Sequence, residues 1–205
     1  MLSNDVAENP GPYNKVSDLT MFHWNVRSVR NKIEYLETIC LGSSIVCITE
    51  SHLDDKVSTK DILIPGYLEP FRNNRNYFGG GVPPNTTNPF RDNFHYSLEK
   101  ATESSSRVLI TDDLKNVDLL IETNHRLNEI MYNFNLTHCI NEATRFGTLL
   151  NPIIYSDECE ISFSDVIQID RNISDHDATS ASLRIPRNYK LSINDRYGCI
   201  IIKIL

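Results

Sequence analysis

No apolar run in the sequence is longer than Cys199-Ile200-Ile201-Ile202. That is far short of the roughly 20 residues that cross a bilayer, so no membrane-spanning helix is expected. No basic stretch followed by an apolar one stands near Met1, so there is no signal-peptide pattern. The five cysteines, Cys40, Cys47, Cys139, Cys159 and Cys199, form no Cys-x-x-Cys pair and no Cys/His set of zinc type. Their odd number, wide spacing and mostly apolar neighbours point to reduced core thiols and an intracellular setting. Basic residues are scarce and scattered. Lys and Arg number 20 against 27 Asp and Glu, for a formal net charge of -7. That balance argues against non-specific binding to phosphate backbones, which rests on neutralisation by basic side chains. No Lys/Arg cluster with interleaved aromatics marks a plain DNA- or RNA-binding module either. A nucleic-acid enzyme with this charge needs a local basic face, or a divalent metal, to meet its substrate.

What is present is ordinary globular composition, 40% hydrophobic and 23% charged over 205 residues, enough for one domain with a real core. Residues 1–18 are polar and turn-rich around Asn9-Pro10-Gly11-Pro12 and read as a loose leader. Leu19–Asn25 reads as a buried strand and Ile45–Thr49 as a second. Between them, Ile33, Leu36, Ile39 and Cys40 recur at helical spacing over Arg30–Leu41. Gly79-Gly80-Gly81 then meets Pro83-Pro84-Asn85 with no strand between. A helix is expected from Pro89 to about Ala101, a short strand at Arg107–Thr111 and a helix at Asn124–Phe134. Strands are expected at Leu136–Ile140, Leu149–Tyr155, Phe163–Ile169 and Ala178–Ile185. The order of elements predicts a layered α+β fold. Residues 191–205 show no assignable pattern.

Asn25, Glu50 and Asp113 stand where apolar strands stop, and Asp175-His176 lies in the turn before the last predicted strand. Strand ends hold such groups rigidly while their heads reach one rim. Oxygen donors of this kind suit Mg²⁺, which takes one or two carboxylates and completes its shell with water and phosphate. A nearby histidine can act on water or on a phosphate oxygen. Singly, each residue reads as a turn former or a solvated strand end. Together they describe metal-assisted phosphodiester hydrolysis.

The local sequences carry a resemblance. Phe22-His23-Trp24-Asn25-Val26-Arg27-Ser28, with Asn31-Lys32, resembles the opening motif of the exonuclease–endonuclease–phosphatase superfamily. More narrowly, it is similar to the endonuclease domain of non-LTR retrotransposons. Cys47-Ile48-Thr49-Glu50-Ser51-His52-Leu53 resembles the strand whose Glu binds the metal. Pro65-Gly66-Tyr67, Arg72, Arg75-Asn76 and Gly79-Gly80-Gly81-Val82 resemble the next block, and Ile173-Ser174-Asp175-His176-Asp177-Ala178 the closing Ser-Asp-His block. The resemblance covers residues 19–190. It implies a DNase I-like four-layer α/β/β/α sandwich and Mg²⁺-dependent nicking of DNA, with Mn²⁺ as the alternative metal. It implies neither a membrane nor a small-molecule cofactor, and its ancestral place of action is the nucleus. Oligomeric state is left open. By resemblance, Asn25 and Glu50 would hold metal or its waters. Asp113 would orient the nucleophilic water, Asn116 would contact the phosphate, and Asp175 would support His176 in acting on it. Asp5–Pro12 also resembles the end of a ribosome-skipping peptide, without the upstream segment that skipping needs.

Three departures from the pattern stand out. The strands that follow the triple glycine, and a phosphate-contacting Tyr, have no counterpart, which implies a deletion near residues 82–83 and missing central strands. Asp112-Asp113-Leu114-Lys115-Asn116 carries an extra Lys115, and a one-residue slip turns a strand side chain to the opposite face. Asn151 stands where the family has an Asp that assists the catalytic His, and an amide cannot stabilise an imidazolium as a carboxylate does. These imply an impaired endonuclease. The alternative is a non-catalytic, partly folded retrotransposon remnant.

Overall fold

The computed structural model describes residues 16–72, 98–99, 103, 107–114, 119–120, 125–186 and 200–203. Residues 1–15 of the expected leader, the Gly81/Pro83 junction, Lys115, Asn116 and Cys199 lie outside them, while residues 16–18, expected as leader, are the start of a strand. So does the helix expected over 89–101, except for Leu98 and Glu99, which are helical.

Strand β1 (Val16–Asn25) is the hub of the first sheet. It lies parallel to β2 (Ile45–Thr49), with Phe22 opposite Val46 and Asn25 opposite Thr49. Helix α1 (Ile33–Ile39) makes the connection between them. On its other side β1 runs antiparallel to β7 (Ala178–Pro186), which pairs antiparallel with β6 (Glu160–Ile167). A short strand, β8 (Ile200–Lys203), closes the outer edge of β2, giving the order β6-β7-β1-β2-β8. A second sheet holds β3 (Leu109–Thr111), β5 (Ile153–Ser156) and β4 (Leu136–His138), in that order and antiparallel. Helix α2 (His125–Asn133) precedes β4.

Side chains alternate across a strand, and the packing follows that alternation. Phe22, Trp24, Val46 and Ile48 face Leu36 of α1 in one apolar cluster. Met21, Ile45 and Cys47 point the other way and pack with Leu149, Ile153 and Ala181 between the sheets. Ile154, one residue beyond Ile153, joins Ile130 and Met131 of α2 with Leu136 and Val108 on the far side. Three clusters therefore separate four layers, helix, sheet, sheet and helix, as the resemblance implied. Strands buried on both faces read as unbroken apolar runs, which is why β1 and β2 are legible as strands.

Strand β6 is an edge with half-exposed residues, and it is bulged between Ile161 and Phe163, a feature that blunts edge pairing. Cys40, Cys47, Cys139 and Cys159 are free thiols, the first three buried. Among the described residues, no helix is long and apolar enough to cross a membrane. The structure corrects the reading of the tail: Ile200–Lys203 is a strand. Four consecutive apolar residues have no period from which pairing can be read.

Candidate active site

The strand directions gather the site at one rim. Parallel β1 and β2 both end there, in Asn25 and Thr49. Antiparallel β7 starts there, because Thr179 lies opposite His23. In the second sheet, Thr111 at the end of β3 pairs with Ile153 at the start of β5. Residues just past these ends, Glu50, Asp113, Asn151 and Asp175-His176, therefore converge from distant parts of the chain.

The loops after β1 and β2 are bonded to each other. Val26 N–H donates to Thr49 O (3.2 Å), Ser28 N–H to Glu50 O (2.8 Å) and Val29 N–H to Ser51 O (3.0 Å). Arg27, Ser28, Glu50 and His52 all have positive φ, at 45°, 88°, 49° and 52°. Such residues cost about 1 kcal/mol or more each and persist where the surroundings over-determine them. Here the bonded loops fix the directions in which Arg27 and Glu50 leave the backbone.

A cavity of about 500 Å³ opens at this rim, lined by Arg27, Glu50, Asp113, Arg145, Thr148, Leu150 and His176. Asn25 is fully buried. Its Nδ2 donates to Asp113 Oδ2 at 2.8 Å, and its Oδ1 accepts from Arg27 N–H at 3.2 Å. Asp113 N–H donates in turn to Asp112 Oδ1 (2.8 Å). The carboxylates on the wall are thus Glu50 and Asp113, with Asn25 bracing Asp113 from behind. Among the described residues no three His, Cys, Asp or Glu side chains cluster as a metal cage. A Mg²⁺ ion does not need one. Two carboxylates of hard oxygen beside an open cavity fit its usual partial protein shell.

His176 is 2% exposed. Its carbonyl accepts from Trp24 Nε1–H (3.1 Å), and its N–H donates to Ser174 Oγ (3.2 Å), which itself donates to Asn25 O (3.2 Å). Asn151, also buried, places Nδ2 3.3 Å from His176 Nδ1 and donates to Asp177 O at 3.1 Å. Burial drives the imidazole pKa down to about 4, with Asp175 opposing and Arg145 adding to the fall. His176 is therefore neutral at physiological pH.

Asp175 turns Oδ2 to Arg27 Nη1 (3.0 Å) and Arg145 Nη2 (2.6 Å). Burial opposes its charge, but the two guanidinium groups outweigh that and hold the carboxyl below its ordinary range. Its influence on His176 is electrostatic, and the side chain that meets the ring nitrogen is Asn151. Asp177 is held separately, by Arg171 Nη2 (2.6 Å) and by Ile169 N–H (2.9 Å).

The structure thus brings Asn25, Glu50, Asp113, Asn151, Asp175 and His176 to one place, while Asn116 lies outside the described residues. Two participants, Arg145 and Thr144, carried no signal in the sequence, and a third, Ser174, stood in the closing Ser-Asp-His block with no role given to it. Arg145 sits in a tight turn closed by Thr148, beside Phe146, which is 78% exposed. Its guanidinium lies 5.4 Å over the Phe146 ring. Thr144 is fully buried, and its Oγ1 accepts from the N–H groups of Leu150 (3.0 Å) and Asn151 (3.1 Å). Ser174 ties two loops whose adjacency only the fold creates. Against a net charge of -7, Arg27 and Arg145 supply a local basic side to the cavity.

No protein-family model and no curated protein matches the sequence. Solved structures do match in shape. The 3′ phosphatase NExo from Neisseria, bound to a product DNA hairpin, aligns with a TM-score of 0.62 at 11% identity, over 80% of this chain and 99% of that one. An AP endonuclease from Archaeoglobus fulgidus gives 0.61 at 11% identity, over 82% and 100%. The endonuclease domain of TRAS1, a telomere-specific non-LTR retrotransposon, gives 0.56 at 8% identity, over 83% and 100%. At such identities the likeness concerns the fold, and the chain has the DNase I-like fold of these nucleases and phosphatases.

Proposed function

We propose that the chain is a divalent-metal-dependent DNA phosphodiesterase, an endonuclease domain of the non-LTR retrotransposon kind, working below its ancestral rate. The observation that carries this reading is one cavity holding two carboxylates, a neutral histidine and two arginines, drawn from five separate chain segments. The similar solved structures act on or are bound to nucleic acid by their own names, and that supports DNA as the substrate.

In this proposal Glu50 and Asp113 hold the Mg²⁺, with Asn25 keeping Asp113 in position. When bound, the ion would polarise a phosphoryl oxygen and neutralise developing charge. The chain supplies the rest. Arg27 and Arg145 draw the phosphodiester in and offset its charge. Asp175 fixes the two guanidinium groups, and His176 hydrogen-bonds at the phosphate. We also infer that the sequence is shortened at the Gly81/Pro83 junction. In support, the outer neighbour of β2 is drawn from the far tail, Ile200–Lys203, rather than from chain that follows β2.

The test is nicking of supercoiled plasmid by the purified chain with Mg²⁺, beside Glu50→Ala and His176→Ala. Wild-type nicking should fall at least about 10²-fold in the His176 variant, the low end for a positioned proton-transfer or donor group. Glu50→Ala should fall to background, as should wild type in EDTA. Equal rates in all three proteins would place any activity elsewhere, and a folded wild type with no nicking would favour the non-catalytic remnant.

A further inference from the structure

We propose that Asn151 is a positioning residue that holds His176 in the tautomer protonated on Nε2, making the ring a hydrogen-bond donor to an oxyanion in the cavity rather than a base for water. An amide nitrogen has two hydrogens and no lone pair to offer, whereas a carbonyl oxygen only accepts. Asn151 Nδ2 gives one hydrogen to Asp177 O at 3.1 Å. Its other hydrogen lies toward His176 Nδ1 at 3.3 Å. Nδ1 must then present its lone pair, and the ring's single proton goes to Nε2.

The amide cannot be turned round without loss. Reversed, Asn151 Oδ1 would stand about where Nδ2 is, against the Asp177 carbonyl, two acceptors face to face. The NH₂ group would fall where Oδ1 now lies buried with no hydrogen-bond partner among the described residues. An unmet buried donor costs about 1–3 kcal/mol, and the bond to Asp177 would be forfeited as well. Nor can the side chain drift. Thr144 Oγ1 pins the backbone N–H of Leu150 and of Asn151, and Asn151 is fully buried. Burial also keeps the ring neutral, with a pKa of about 4, so that at neutral pH there is one proton to place.

A carboxylate at this position would do the opposite. It can only accept, so it would demand the proton on Nδ1 and leave the Nε2 lone pair for the cavity, which is how an Asp sets a catalytic histidine. The tautomer stands on these hydrogen bonds and on a ring kept neutral by burial. Its reading as a donor to a phosphate oxygen rests on the function proposed above, with the N–H of Nε2 acting beside Arg27 and Arg145 as one of three donors around an anion.

Two-bond proton–nitrogen spectra of the full chain, labelled with ¹⁵N-histidine and assigned by comparison with His176→Asn, decide it at neutral pH. Wild-type His176 is expected as the Nε2–H form, and Asn151→Asp as the Nδ1–H form. Wild-type His176 protonated on Nδ1, or on both nitrogens, would overturn the tautomer. That arm does not use Asn151→Asp, so it decides even if that variant unfolds. Inorganic phosphate should then shift the Nε2 signal of the wild type by more than that of Arg145→Gln. An Nε2–H tautomer that phosphate leaves unmoved would overturn the oxyanion role while leaving the tautomer in place.

Discussion

Replacement of Trp24 by alanine is expected to cost about 3–5 kcal/mol, the range for removing a buried aromatic from a core. Trp24 is fully buried, lies against Tyr35 with ring centroids 5.9 Å apart, and packs in the cluster between the first sheet and α1. Since domains commonly have only about 5–15 kcal/mol of net stability, this one change should bring much of the protein to unfolding. The same residue couples the core to the cavity, because its Nε1–H is bonded to the carbonyl of His176. Trp24→Phe should therefore behave differently. It keeps most of the ring but strands a buried acceptor, at about 1–3 kcal/mol, and it loosens His176 without emptying the core. Urea unfolding followed by circular dichroism separates the two. A Trp24→Ala midpoint close to wild type would show that the first layer is not packed as described.

The second large effect is acid sensitivity, and its sign follows from two buried histidines. His23 has its pKa driven down to about 3, first by burial and then by His176. His176 stands at about 4, mainly through burial. Unfolded, both return toward 6.5 and bind protons that the folded state refuses. Stability is therefore fully present above pH 6.5 and is lost as pH falls toward 4. Each histidine contributes up to about 1.4 kcal/mol per pH unit in that window, and the pair up to about 2.7. His23→Gln keeps an acceptor and donor within reach of Thr49 Oγ1, now 3.3 Å from His23 Nε2, and removes one of the two titrations. It should about halve the slope of unfolding free energy against pH between 6 and 4. Parallel slopes for wild type and variant would contradict the assignment.

How much of this was legible in the sequence follows from what each element has to satisfy. Strand β2 is buried at every position, so Ile45–Thr49 stood out as an apolar run with its limits intact. Strand β6 starts at Glu160, three residues before the expected Phe163, because an edge strand tolerates exposed polar residues that look like loop. Helix α1 is shorter than the spacing of Ile33, Leu36, Ile39 and Cys40 suggested, since Arg30 to Lys32 are spent in the loop that carries Lys32 Nζ to Val26 O at 2.6 Å. Asn25, Glu50, Asp113 and His176 could be singled out because strand ends and a resemblance both pointed at them. Arg145 and Thr144 could not, and Ser174, though inside the closing block, had no role to read there. Their importance comes from pairings across up to 149 positions of sequence, and no local pattern encodes that a turn beside β5 will face the start of β7. The resemblance implied that both Asp175 and position 151 would serve His176; the fold gives Asp175 to two arginines and leaves the ring nitrogen to the Asn151 amide.

On the function proposed above, the cavity is a phosphodiesterase site held back by the amide at Asn151. The deciding measurement is the single-turnover nicking rate of Asn151→Asp against wild type with Mg²⁺, with His176→Ala introduced into both. Asn151→Asp should gain on the order of 10²-fold, the low end of what general acid–base groups contribute, and the gain should disappear in the His176→Ala background. A folded Asn151→Asp protein that nicks no faster than wild type, or one whose gain survives the loss of His176, would contradict it.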